Sequence, residues 1–273
     1  MPPEPGAARP AVLVTGASAG IGRELARVFA ARGHPLALTA RRHDRLDALA
    51  REVSAAHGVK VGAFAYDLAD PAAPAQLHAA VTAAGIEVGV LVNNAGFGRQ
   101  GAFAASNLAR EQALAAVNVG AVVALTRLVL PAMLARGWGR ILNVASTAAF
   151  QPGPFMASYY ASKAYVLSFT EALHEELRGT GVAATALCPG PVATEFQAVA
   201  GMEGVRLTRM LAMTSAERVA QQGYEAAMAG RAIAIPGLMN WLGVQSLRVA
   251  PRVVVRRLVG WLNRKARQQA RSD

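Results

Sequence analysis

The apolar run Ala11-Val12-Leu13-Val14 leads into Thr15-Gly16-Ala17-Ser18-Ala19-Gly20-Ile21-Gly22, and then into Arg23-Glu24-Leu25-Ala26-Arg27-Val28-Phe29. A buried strand, a glycine-rich turn and an amphipathic helix in that order are the first half of a βαβ unit. Gly16, Gly20 and Gly22 let the backbone turn sharply, approach a pyrophosphate and seat the helix against the strand. The start of that helix aims free N–H groups and a positive dipole end at the same point. The segment therefore predicts a dinucleotide-binding α/β fold.

The rest of the chain repeats the alternation. Strands are expected near 11–15, 35–40, 60–65, 88–92, 139–145, 182–188 and 231–235, with helical patterns between them. Continuously apolar strands such as Val88-Gly89-Val90-Leu91-Val92 suit a parallel sheet covered on both faces. The prediction is a single-domain, Rossmann-like, doubly wound parallel sheet of about seven strands with helices on both faces. With 273 residues, 53% of them hydrophobic, one domain can bury a full core. Met1 to Pro10 and the end from about Asn263 lack apolar periodicity and are expected to fray. The domain proper is placed at 11–240, including a lid at 194–215.

The single cysteine, Cys188, excludes an intrachain disulfide and reads as a small core residue. The opening Met1-Pro2-Pro3-Glu4-Pro5-Gly6 lacks the apolar core of a secretory signal, so a cytoplasmic location is expected. Val117 to Leu134 is apolar enough to raise a membrane span, but Asn118, Arg127 and Pro131 interrupt it, and a buried helix is expected instead. The net charge of +11 is spread through the chain, and no nucleic-acid partner is expected. Its main cluster lies in 241–273, where Arg248, Arg252, Arg256, Arg257 and Arg264 interleave with Trp241, Val253 to Val255, Leu258 and Trp261. That basic amphipathic segment has three readings: peripheral membrane contact, docking on the domain or a partner subunit, and a solvated tail.

Tyr159 and Lys163 stand four residues apart, which puts a phenol and an ammonium on one helix face. A free tyrosine, with a pKa near ~10, is a poor acid at neutral pH; a fixed positive charge beside it is expected to lower that value. With Thr15 to Gly22, Asn93-Asn94-Ala95-Gly96, Ser146 thirteen residues before Tyr159, and Pro189-Gly190-Pro191-Val192-Ala193-Thr194, the pair completes a set in fixed order. In these motifs the chain resembles the short-chain dehydrogenase/reductase family over about residues 11 to 240.

The resemblance implies four catalytic residues. Tyr159 is the proton donor in reduction, Ser146 hydrogen-bonds the substrate oxygen, Lys163 tunes the phenol and reaches the nicotinamide ribose, and Asn118 holds a water that links Lys163 to solvent. Tyr160 is the rival acid but lies off the lysine's face. The resemblance also implies Gly16, Ser18, Gly20, Ile21 and Gly22 at the cofactor turn, Asp67 on adenine, Asn93 and Gly96 along the cofactor, and Val192 and Thr194 on its carboxamide. At the end of the second strand Ala40-Arg41-Arg42 stands where an acid would select NAD. Guanidinium forks favour the 2′-phosphate of NADP(H), with Arg41 the first choice, Arg42 second and Ser18 adding a hydroxyl. No metal ligand set is expected.

The expected substrate is a ketone or aldehyde, or the matching secondary alcohol, and a lipophilic one: Phe97, Phe150, Phe155 and Met156, with Phe196, Met202, Leu207, Met210, Leu211 and Met213 in the lid, would line its pocket. A ketoacyl reductase working on carrier-bound acyl chains is the narrower alternative. Gly16-Ala17-Ser18-Ala19-Gly20 also fits the G-x-S-x-G of an esterase, but His174 is the only histidine beyond His78 and no aspartate lies between Asp70 and Asp273. A non-catalytic NADP sensor is disfavoured by the complete catalytic set. Homo-oligomers are common in the family and are expected here.

Overall fold

The structure, a computed structural model, describes residues 9–206 and 213–264. Seven strands form one sheet in the order β3-β2-β1-β4-β5-β6-β7: β1 Ala11–Thr15, β2 Leu36–Ala40, β3 Val61–Ala65, β4 Val88–Asn93, β5 Gly139–Val144, β6 Val182–Leu187 and β7 Ile233–Ala234. Every neighbouring pair is parallel. Helices α1 Gly20–Ala30, α2 His43–His57, α3 Ala73–Ala83, α4 Leu108–Ala115, α5 Ala121–Arg136 and α6 Ala157–Glu176 follow the strands. After β6 come α7 Phe196–Ala200, α8 Ala216–Met228, α9 Leu238–Ser246 and α10 Arg252–Asn263.

Successive strand residues point to opposite faces, and both faces are buried from β2 to β6, while the edge strands β3 and β7 are only partly buried. Val12, Val14, Leu36, Leu38, Val90 and Val92 pack with Leu25 and Phe29 of α1 and Val219 and Ala220 of α8. Leu13, Ala37, Leu91 and Ile141 pack on the other side with Leu77 of α3 and Leu125 and Met133 of α5. The run 108–136, long and apolar enough by composition to cross a membrane, is thus partly spent as a core helix. Its α4 and α5 halves are joined by one π-helical turn, Ala116–Gly120, which carries Asn118.

The strand order reverses direction at β1: β2 and β3 follow on one side of it, and β4 to β7 on the other. Ligands of open α/β sheets bind in the crevice this leaves at the strands' carboxyl ends.

Both edges of the domain are tied down more firmly than the sequence implies. Pro10 packs against Gly89, and its carbonyl lies 3.0 Å from His34 Nδ1. Asn263, expected to begin a frayed tail, is fully buried: its Nδ2 donates to the Pro154 carbonyl (3.0 Å), and its own carbonyl accepts from Gln100 Nε2 (3.1 Å).

Candidate active site

A cleft of about 550 Å³ runs along the carboxyl edge of the sheet. Its walls come from the residues that follow six strands: Gly16 after β1, Arg41 and Arg42 after β2, Tyr66 and Asp67 after β3, Asn94 to Phe97 after β4, Ser146 after β5, and Pro189 to Val192 after β6. At about 4.8 Å between strands, the edge from β3 to β6 is roughly 24 Å long, room for an extended dinucleotide with a substrate beside it. The sheet order also assigns the ends: Asp67 and the arginines at one, Ser146, Tyr159 and Lys163 at the other.

The middle of the cleft is built for an anion. Helix α1 starts at Gly20 with no side-chain cap and no acidic residue in its first turn, so its leading N–H groups are left for a ligand. The turn before it is locked to the β4 loop. Thr15 Oγ1 accepts from the backbone N–H groups of Asn94 and Ala95, both at 2.9 Å, and Asn94 Nδ2 donates to the Thr15 carbonyl at 2.9 Å. Gly22 faces this lock rather than the cleft: a Cβ there would overlap the Asn94 amide and the Gly16 carbonyl. Gly16, Ser18, Gly20 and Ile21 do line the cleft.

Beyond β2 the guanidinium of Arg42 donates to Ser18 Oγ (3.1 Å) and to Glu195 Oε2 (2.9 Å), and Arg45 pairs with the same carboxylate (2.6 Å). Arg41 also lines the cleft but is more exposed. Of the two arginines, Arg42 is the one held by Ser18 and Glu195. That hydroxyl serves an arginine, and His174 is spent on the Ala184 carbonyl (2.8 Å), so no hydrolase triad forms around Ser18.

At the other end Tyr159 and Lys163 both line the cleft from α6, and Lys163 Nζ sits 5.9 Å from the centre of the Tyr159 ring. Lys163 is buried and donates to the Val144 carbonyl at 2.7 Å; burial pulls its ammonium down to about 8. Desolvation raises Tyr159 above the ordinary phenol value, and the Ser146 hydroxyl beside it pulls the other way. The expected lowering is thus not seen in the protein alone: desolvation sets the direction, and Ser146 rather than Lys163 opposes it. Ser146 Oγ accepts from Ala148 N–H (3.1 Å) and donates to the Pro189 carbonyl (3.4 Å), which fixes it at the end of β5. Tyr160 turns its hydroxyl to Asn263 Oδ1 at 3.4 Å, away from this group. Burial likewise pushes the Cys188 thiol up to about 12, which leaves it an inert core residue.

Besides Gly22, two expected site residues do not line the cleft. Asn93 is buried under the cleft, its Nδ2 donating to Asn143 Oδ1 (2.9 Å) and Thr126 Oγ1 (3.1 Å); its neighbour Asn94 is the one that lines the wall. Asn118 also stays behind the wall. Its Nδ2 donates to the Phe97 carbonyl and Ser162 Oγ, both at 3.0 Å, and its Oδ1 accepts from Phe97 N–H at 3.1 Å. With both amide hydrogens committed, the side chain braces the β4 loop against α6, and its Oδ1 keeps one lone pair on the side of Lys163. A Cβ on Gly96 would fall 3.1 Å from that amide oxygen and 3.4 Å from Lys163 Nζ, so glycine keeps the passage to the lysine open.

One residue of the cleft wall carried no sequence signal. Gln197 on α7 donates from Nε2 to the Val192 carbonyl (2.6 Å) and accepts at Oε1 from Thr194 N–H (3.3 Å). Its side-chain carboxamide thus occupies the Val192 carbonyl and the Thr194 N–H, at the two residues expected to hold the nicotinamide carboxamide. Phe97, Met156, Phe196 and Met202 line the cleft as expected, joined by Ala113, Val117 and Val199, which the sequence did not single out. Phe150 and Phe155 do not: Phe150 packs under β6, and the Phe155 ring stacks on Arg264 at 5.2 Å. Met213 is exposed, and Leu207, Met210 and Leu211 lie outside the described residues.

The short-chain dehydrogenase family model matches residues 10–203, and the chain belongs to that family. It is 41% identical over 184 residues to HetN of a Nostoc species, named a ketoacyl reductase; the match covers 66% of this chain and 63% of that one, so the chain spans less than two thirds of this relative's length. Among solved structures it resembles a Sphingobium yanoikuyae short-chain dehydrogenase in complex with NADPH, with a TM-score of 0.79, 32% identity and 88% and 93% of the two chains covered. A Burkholderia phymatum family member in complex with NAD gives a TM-score of 0.79 at 28% identity, covering 87% and 92%.

Proposed function

We propose that the chain is an NADPH-dependent oxidoreductase that reduces a lipophilic ketone or aldehyde and reversibly oxidises the secondary alcohol. The observation that carries this is the meeting of the Ser146 hydroxyl, the Tyr159 phenol and the buried Lys163 ammonium at one end of a cleft whose far end presents Arg41 and Arg42. The uncapped start of α1 between them fits a pyrophosphate, and the arginines fit a 2′-phosphate. A reduced nicotinamide held along this cleft would supply the hydride for the carbonyl carbon.

The chain's own residues do the rest. Ser146 donates a hydrogen bond to the carbonyl oxygen, where negative charge builds. Tyr159, kept protonated by its raised pKa, gives that oxygen its proton, and the Lys163 ammonium stabilises the phenolate left behind. Phe97, Val117, Met156, Phe196 and Met202 surround the reacting end with apolar, partly adaptable surface, which supports a lipophilic substrate. Loss of NADPH fluorescence over a panel of ketones and aldehydes tests the reading; NADPH binding without turnover of any of them would favour the sensor instead. The resemblance to a ketoacyl reductase keeps a carrier-bound acyl chain as the second reading. A free keto ester compared with the same group on an acyl carrier separates the two.

The pH dependence follows from two shifts of opposite sense. The Lys163 ammonium, lowered from 10.5 to about 8, is present below that pH and lost above it, whereas Tyr159 stays protonated throughout. Reduction should therefore hold a plateau through neutral pH and decline above about 8, read as kcat/KM, which reports the free enzyme. A plateau extending past pH 10 would contradict this assignment.

Gln197→Ala frees the Val192 carbonyl and the Thr194 N–H. At about 1 kcal/mol for each of the one or two hydrogen bonds regained, NADPH should bind roughly five- to thirtyfold tighter by calorimetry. Weaker binding would show that Gln197 supports the site instead of competing for it.

A homo-oligomer belongs to the same proposal, and light scattering that returned a monomer would remove it. So does a cytoplasmic location, supported by the lone, buried Cys188; cell fractionation tests it.

A further inference from the structure

Helix α10 docks on the domain by one face and leaves an unexpected surface on the other. Val255, Val259, Gly260 and Asn263 are buried, and the first two pack with Met202 and Val205 of the lid segment and with Met156 and Tyr160. An amphipathic helix docked this way should turn polar side chains to water. Instead Val254, Leu258 and Trp261, at i, i+4 and i+7, form an apolar stripe opposite the buried face, 54%, 54% and 45% exposed. Arg257 borders this stripe, while Arg252 and Arg256, spaced with Val255, Val259 and Asn263, are exposed at the margin of the docked face. Helix α9, just before, exposes Leu238 (71%), Met239 (77%), Trp241 and Leu242.

The charge on these helices has one sign. From Ala226 to Ser272 the chain contains no aspartate or glutamate. Among the described residues none of Arg248, Arg252, Arg256 and Arg257 has a carboxylate partner. Exposed indoles beside arginines and aliphatic side chains match the layered chemistry of a bilayer surface, with anionic headgroups outside and acyl chains beneath.

We propose that α9 and α10 form a docking surface for an anionic lipid bilayer, which the chain meets in the plane of the interface without crossing it. A second copy of the chain is the poorer occupant. A two-fold interface sets the same patch against itself, arginine against arginine, and the whole chain carries +11. The inner face of α10 lies against the lid and the apolar end of the cleft, so docking would bring that end to the bilayer. The inference concerns this surface alone and does not depend on turnover.

Co-sedimentation of the full chain with vesicles tests it. Vesicles with about a third phosphatidylserine should carry the protein down, pure phosphatidylcholine should not, and binding should fall with salt. Indole emission should shift to the blue as Trp241 and Trp261 enter the interface, since Trp138 is already buried. Arg252→Glu, Arg256→Glu and Arg257→Glu together should weaken partitioning by at least about a hundredfold. NADPH binding and the thermal midpoint should stay unchanged in that variant. Trp261→Ser should weaken binding with all charges intact. No sedimentation with anionic vesicles at low salt, or sedimentation unaffected by both variants, would overturn the proposal. So would a dimer that dissociates in Trp261→Ser without vesicles present, which would assign the surface to a second copy.

Discussion

Tyr159→Phe is expected to lower kcat/KM for carbonyl reduction by about 10² to 10⁴, the usual contribution of a positioned general acid, with little change in NADPH affinity. The substitution is clean because the ring keeps its neighbours: Tyr160 lies 6.0 Å away in an edge contact and Phe196 5.2 Å away, centre to centre. Only the hydroxyl facing Ser146 is lost. Tyr160→Phe is the internal control. It removes a 3.4 Å hydrogen bond to Asn263 and should cost at most about 1 kcal/mol of stability, with the chemistry intact. A large loss of turnover in the Tyr160 variant and none in the Tyr159 variant would exchange their roles.

Arg42→Ala should weaken NADPH binding by about 10- to 100-fold and leave NADH binding within a few-fold. Ser18 Oγ accepts from the guanidinium of Arg42 and aims it along the cleft, while Arg41 is more exposed and should contribute less. The contacts with Glu195 temper the effect. A 2′-phosphate has to share Arg42 with that carboxylate, and exposed ion pairs of this kind are individually weak. Calorimetric titration of both cofactors reads the result directly; equal loss for NADH and NADPH would mean that Arg42 supports the turn and does not select the phosphate.

The seven strands were legible because a parallel sheet covered on both faces demands continuous apolar runs, and such runs are hard to hide; their order was not. The same continuity concealed Asn93. Val88 to Val92 has no alternation, so nothing in the sequence says which of two adjacent asparagines faces the cleft. Asn118 was recognisable, but the π-turn that turns its amide toward Phe97 and Ser162 leaves no mark in composition. The sign of the Tyr159 shift depends on how deeply the phenol is desolvated, which spacing along a helix cannot report. The C-terminal segment read as amphipathic, yet only packing shows that Val255 and Val259 are its buried face and that the exposed face is also apolar.

The central claim is that one cleft joins hydride delivery at carbon with proton delivery from Tyr159 at oxygen. It is tested most directly by mass spectrometry of the alcohol formed from a turned-over ketone with NADPH carrying deuterium at the transferring position, for the unaltered chain and for Tyr159→Phe. The account predicts one deuterium at the carbinol carbon and a rate lower by about 10² or more in the variant. Unlabelled alcohol, or labelled alcohol formed equally fast without the Tyr159 hydroxyl, would contradict it.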